Sequence, residues 1–337
     1  MYKHIRLPRE VHVGENALEK LSEYSSKNTL VVSGPKTRKI AGNEAAEILE
    51  TDIVTIDEPS MKEVEKVKQC LKGKELAIAV GGGKVIDVTK AASYDNNINF
   101  ISVPTTCSND GVASQMASLT NGSTRESIVT HPPFSVIVDF EIILNCPYNL
   151  IRGGIGDTIS NFVAVKDWKL GNTVKNEYYG DYSSRLSLMV AELIKKRVHS
   201  IREKKIGGLG TLMEALISSG AAMGIAGSSR PASGSAHKFS HALDSLANKS
   251  ALHGEQCGVG AIAMSYLQGE DWREIKNTLK EGGCPTTAKE LGIDEEILLK
   301  AMIKAKEIKP RRYTIIEHIG LNEEIAENAL KNTGIIK

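Results

Sequence analysis

The chain has 337 residues, with 42 Lys and Arg set against 41 Asp and Glu for a net charge of +1, a balance that offers no field for nucleic acid or an anionic membrane surface. Apolar residues at 41% and charged residues at 25% are ordinary for a globular protein, and the length leaves room for two domains. Five cysteines without a CxxC pair fit a reducing cytoplasm, and neither a signal-like apolar N-terminus nor a run of about 18 uncharged apolar residues is present, so no export and no membrane span are expected.

Residues 1 to 22 read as a strand or arm around Val11–Gly14, then a helix through Leu18 and Leu21. Buried strands are expected at Thr29–Gly34, Asp52–Ile56, Leu76–Val80 and Phe100–Pro104. Helical segments separate them, up to about Leu49, over 61–72 and over 84–93. Ser135–Asp139 is a further strand and Met116–Thr120 a weaker one. Short apolar strands alternating with helices predict βαβ units and a mostly parallel sheet. After residue 150 the strand-like runs stop, and helical periodicity takes over at 155–170, 182–198, 209–226, 236–248, 254–269, 271–281 and 295–306. The expected fold is α/β: a Rossmann-like, mostly parallel sheet domain over 1–150 that binds a nucleotide, and an all-helical domain over 151–337 that binds metal and substrate.

Two loops are suited to a ligand. Gly81, Gly82 and Gly83 follow a strand and open a helix that carries Asp87. Glycines let backbone approach a phosphate, and the helix N-terminus complements its charge. The G-x-G-x-x-G fingerprint is absent, so a plain tight turn is the competing reading. Thr105, Thr106, Ser108 and Asp110 follow the next strand and offer hydroxyls and a carboxylate at a second strand end.

Three of the eight histidines fall between 237 and 253. His237 and His241 are spaced i, i+4 and share one helix face. With His253 they could supply the three protein ligands of an open zinc site; two histidines and a carboxylate such as Asp157 would serve equally, and spacing leaves both sets open.

Gly81–Gly83 with Asp87 and Lys90, Pro104–Thr106 with Ser108, Asp110 and Gly111, Gly156–Asp157, and His237 with His253 together resemble the iron-containing alcohol dehydrogenase and dehydroquinate synthase superfamily, from about residue 10 to about 310. Within it, Ala164-Val165-x-Asp167-Trp168, Ser228–Ser235 and His237-x2-Phe239–Asp244 are similar to the archaeal sn-glycerol-1-phosphate dehydrogenases. The resemblance implies one Zn²⁺ held by Asp157, His237 and His253, with His241 beside it rather than on it. It implies NAD(P) lying across a cleft on Gly81–Gly83, Asp87, Thr105, Thr106 and Ser108, with Asp110 and His241 facing the substrate. Lysine is usual in the family where Asn161 stands, and glutamate where Ala236 stands; neither position is a metal ligand.

The activity so implied is reduction of dihydroxyacetone phosphate to glycerol 1-phosphate for archaeal ether lipids, by a homo-oligomer. His241, or a water beside Asp110, would carry the proton, and Asp157 would lie against the substrate oxygen as well as the ion. Arg230, Ser233 and Ser235 stand just ahead of the metal helix, where a substrate phosphate could be met; a polar capping loop is the alternative. No acid follows the first strand of the sheet domain, and Lys36 there suits the 2′-phosphate of NADP while leaving NAD open. Glycerol dehydrogenase, needing no phosphate pocket, and a dehydroquinate synthase-like cyclase, needing more basic residues, are the rival enzymes. A nucleotide- and zinc-binding protein without catalysis is the rival from another class.

Overall fold

A computed structural model describes residues 4–122, 124–247 and 251–337. The first three residues of the expected N-terminal arm, and Asn248 at the end of one expected helix, lie outside the described residues. The chain divides into two compact units, Met1–Pro147 and Tyr148–Lys337.

The first unit is built on six strands: β1 (Glu10–Gly14), β2 (Thr29–Ser33), β3 (Ile53–Thr55), β4 (Leu76–Gly81), β5 (Asn99–Pro104) and, after a hairpin of β6 (Met116–Asn121) and β7 (Thr124–Val129), β8 (Ser135–Asp139). All neighbours in the order β1-β8-β5-β4-β2-β3 are parallel. β2, β4 and β8 are buried along their whole length, as strands covered on both faces must be. Val31, Ile78, Val80, Ile101, Val103 and Ile137 fill one face against Leu18, Leu21 and Ala45.

The helical segments differ from expectation in instructive places. Leu18 and Leu21 lie on a 3₁₀ helix, Ala17–Tyr24. The expected helix at 155–170 is two, Tyr148–Ile159 and Asn161–Lys175, joined at Ser160. The Ser160 hydroxyl donates to the Asp157 carbonyl at 2.7 Å, a local bond that competes with regular helix and marks the bend. β7 and three C-terminal helices, Ala288–Leu291, Ile315–His318 and Glu323–Asn332, were not anticipated. One helix, Ile206–Ala226, is long and apolar enough to cross a membrane, yet 67% of its apolar window is buried within the protein, as for a core helix.

Candidate active site

Asp157, His237, His253 and Cys257 converge in the second unit, their ligand atoms all within 4.8 Å of one another. His237 Nε2 lies 3.5 Å and His253 Nε2 3.9 Å from Asp157 Oδ1. Asp157 comes from Tyr148–Ile159, His237 from Ser235–Asp244, and His253 and Cys257 from the first turn and a half of His253–Leu267. One carboxylate, two imidazoles and a thiol form a donor set suited to a borderline-soft divalent ion. The His237 Nδ1 atom is buried with no hydrogen-bond partner among the described residues, while Nε2 faces Asp157.

A chain of hydrogen bonds sets the other imidazole. Gln256 Nε2 donates to Asp244 Oδ1 and to the Ala251 carbonyl, both at 2.9 Å. Its Oε1 therefore accepts the Ser240 hydroxyl proton at 2.6 Å. The Ser240 oxygen, its proton committed, accepts from His253 Nδ1 at 2.9 Å. That places the proton on Nδ1 and the lone pair on Nε2, beside Asp157, the tautomer a metal ligand requires. His241 is half-buried next to His253, with ring centroids 5.6 Å apart.

Asp157 and His253 approach because two helices touch backbone to backbone. A Cβ on Gly156 would stand 2.2 Å from the Gly254 carbonyl oxygen, and one on Gly254 would stand 1.9 Å from that of Gly153. Gly156 precedes Asp157 and Gly254 follows His253, so the contact that only glycine permits lies next to two of the converging side chains. The third helix is held by Asp167, a fully buried carboxylate. It accepts from Ser235 N at 2.6 Å, Ile315 N at 2.9 Å and Gln268 Nε2 at 3.0 Å. Burial raises its pKa against the pull of those bonds. The two family departures are both accommodated: Asn161 donates to Ser219 Oγ at 3.0 Å, and Ala236 packs against Gly260.

The loop ahead of the helix Ser235–Asp244 is braced more than it is free. Arg230 pairs with Glu177 and donates to the Tyr313 carbonyl at 2.8 Å. Arg312 donates to the Ser233 carbonyl at 2.5 Å and to Ser229 Oγ at 2.8 Å. Ser235 offers its backbone N–H to Asp167, and its Oγ has no hydrogen-bond partner among the described residues. Glu177, Arg230 and Lys309–Arg312 line a cavity of about 430 Å³. Lys309, whose φ of 46° is left-handed, is brought down to about 8 by burial and by the Arg312 guanidinium. Its folded pKa lies below the ordinary 10.5, so the unfolded chain binds this proton more tightly. The penalty is full below pH 8 and disappears as pH rises through 10.5. Lys309→Met is expected to be more stable than the parent at pH 7 by about 1–2 kcal/mol, allowing for residual solvent access. Urea unfolding at pH 7 and pH 10.5 checks this: the gap should close at the higher pH, and a constant gap would rule out charge burial as its cause.

In the first unit the two loops meet. Thr105 N–H donates to the Gly81 carbonyl at 3.1 Å, and a Cβ on Gly82 would stand 3.2 Å from Thr106 Oγ1. Thr106 and Ser108 hydroxyls are 3.4 Å apart. Thr105 Oγ1 is buried with no hydrogen-bond partner among the described residues, and the helix Gly83–Asp95 starts at Gly82 with no side-chain cap. This is a cradle with unused donors, fit for a phosphate. Asp87 does not join it: Oδ2 accepts from Ser118 N at 3.1 Å and Oδ1 is 3.5 Å from Lys90 Nζ. The buried Lys90 also donates to the Gly111 and Met116 carbonyls, tying the helix to the loop that bears Asp110. Burial lowers the Lys90 pKa, and Asp87 opposes the shift. Asp110 is half-buried at the start of a 3₁₀ turn, and Lys36 is exposed beyond the carboxyl end of β2.

A profile of the iron-containing alcohol dehydrogenase family matches residues 12–147. The glycerol-1-phosphate dehydrogenase [NAD(P)+] of Pyrococcus furiosus is 48% identical, over 98% of this chain and 99% of that relative. The chain belongs to the glycerol-1-phosphate dehydrogenase family. The enzyme of the same name from Methanobrevibacter smithii is 45% identical over 99% of both chains. A crystal structure of glycerol dehydrogenase from Schizosaccharomyces pombe shares the fold with a TM-score of 0.79, at 19% identity over 100% of this chain and 94% of that one. Beyond the residues expected of a glycerol-1-phosphate dehydrogenase family member, the structure adds Cys257 to the group that could hold a metal and places Ser240 and Gln256 behind His253. Cys257 stands four residues after His253, the same helical spacing that singles out His237 and His241.

Proposed function

We propose that this chain reduces dihydroxyacetone phosphate to sn-glycerol 1-phosphate with NAD(P)H, assisted by one Zn²⁺ on Asp157, His237 and His253, and so supplies the backbone of archaeal ether lipids. The convergence of those three side chains, with the His253 tautomer set by Ser240, carries the reading. When bound, the ion would draw electron density from the substrate carbonyl while the nicotinamide supplies hydride. Gly81–Gly83, Thr105, Thr106 and Ser108 are the residues we assign to the cofactor, with Lys36 available to a 2′-phosphate. Asp87 we assign to bracing that loop rather than to contact with the cofactor, because its carboxylate is engaged by Ser118 and Lys90.

His241, half-buried beside His253, and Asp110 are our candidates to orient the substrate and to hold the proton that the product oxygen takes up. The substrate phosphate we assign to the Ser229–Ser235 loop and the cations that brace it, Arg230, Arg312 and Lys309. The test is oxidation of NADPH and NADH by purified protein with dihydroxyacetone phosphate, before and after chelation. Turnover that chelation abolishes and Zn²⁺ restores is expected. Turnover on dihydroxyacetone but not on its phosphate would overturn the substrate assignment.

A further inference from the structure

Cys257 converges with Asp157, His237 and His253 but is not among the three ligands assigned above, yet its position is that of a donor. It is fully buried, and its Sγ lies 3.6 Å from His253 Nε2. Zinc bonds of about 2.0–2.1 Å to imidazole and about 2.3 Å to thiolate, set at a tetrahedral angle, separate N from S by about 3.6 Å. The corresponding N···O separation is about 3.3–3.4 Å, and His237 Nε2 to Asp157 Oδ1 is 3.5 Å. Two of the six edges of a four-donor tetrahedron thus have the length a zinc site needs, His253 Nε2 to Asp157 Oδ1 is somewhat longer at 3.9 Å, and all four donor atoms lie within 4.8 Å of one another. The helix supplies the register: Cys257 is one turn beyond His253 on the same face, as His241 is beyond His237. His253 Nε2 carries the lone pair, so both it and the sulfur can turn to one cation.

We propose that Cys257 is a fourth protein ligand of this centre, bound as thiolate in the substrate-free protein. The inference rests on the metal-site reading above. The thiol proton leaves to solvent when the S–metal bond forms, and no electron is transferred. A soft donor in the set favours zinc over magnesium or manganese, which prefer oxygen. It also gives the centre two forms. With the thiolate bound all four positions are filled by protein, and access for a substrate oxygen requires that Cys257 release or that a fifth position open.

The experiment is replacement of the native ion by one equivalent of Co²⁺ in the full-length protein, read by absorption. The parent is expected to show visible ligand-field bands together with a near-ultraviolet thiolate-to-cobalt charge-transfer band. Cys257→Ser and Cys257→Ala are expected to keep the visible bands and lose the near-ultraviolet one. In competition with a chromophoric chelator, zinc affinity should fall at least about tenfold in both variants. Visible bands in the parent without the charge-transfer band would overturn the proposal and leave Cys257 as a hydrogen-bond donor to His253. The parent spectrum alone decides this if a variant fails to fold. Absence of any cobalt bands in the parent would overturn the metal-site reading itself, and this inference with it.

Discussion

Asp157→Asn is expected to lower turnover by about 10³-fold, the several kcal/mol that a Lewis acid contributes to a developing negative charge. The substitution keeps the shape of the side chain and removes its charge. Asp157 is the one anionic oxygen donor in a cluster of two imidazoles and a thiol, and its side chain is 4% exposed. Bound metal should therefore fall together with activity when the protein is dialysed and assayed by atomic emission. His241→Ala separates the two quantities. The ring lies beside His253 without belonging to the four converging donors, so metal content should hold while turnover drops about 10²–10⁴-fold, the range for loss of a general acid or base. Loss of metal in the His241 variant would move that residue into the ligand set; full metal with full activity in the Asp157 variant would remove Asp157 from it.

Gly254→Ala should be among the most damaging small substitutions available to this chain. Its new methyl would lie 1.9 Å from the Gly153 carbonyl oxygen, a backbone atom that cannot rotate away. The helices Tyr148–Ile159 and His253–Leu267 must then part, and with them Asp157 from His253. Overpacking of this kind costs about 3 kcal/mol, which for a unit of this size lowers Tm by roughly 6–12 °C. Gly207→Ala is the control. Gly207 lies in the helix Ile206–Ala226 with nothing within 4 Å of its would-be Cβ, so the change should be neutral or stabilising by about 0.5–1 kcal/mol. Calorimetry with metal titration checks both. An unchanged Tm and metal affinity in Gly254→Ala would mean that the two helices can separate without disturbing the ligands.

The sheet was legible because its strands are continuous apolar runs: Thr29–Ser33, Leu76–Gly81 and Ser135–Asp139 are buried throughout and read so from the residues. β7 was not, since Thr-Arg-Glu-Ser-Ile-Val lies in a two-stranded hairpin outside the main sheet and carries little apolar signal. The helix break at Ser160 depends on one side-chain bond that periodicity cannot register. For the site, spacing pointed to the histidines but left the third donor open, and Asp157 entered through family resemblance. Nothing local to His253 indicates that Gly254 touches Gly156, which lies 98 positions earlier in the chain. The same holds for Arg230, whose charge is plain in the sequence while its partner Glu177 lies 53 residues earlier. Cys257 was legible in principle from its i+4 register with His253, but a buried cysteine is common enough as a small apolar residue to hide a donor.

The four converging donors all come from Tyr148–Lys337. Loading of the centre is thus folding free energy for the helical unit and contributes nothing directly to Met1–Pro147. At a free-metal concentration 100 times the dissociation constant, the helical unit would gain about 2.7 kcal/mol by mass action. On the metal-site reading, a chelator is therefore expected to destabilise the helical unit, and limited proteolysis with and without chelation should cut that half of the chain first.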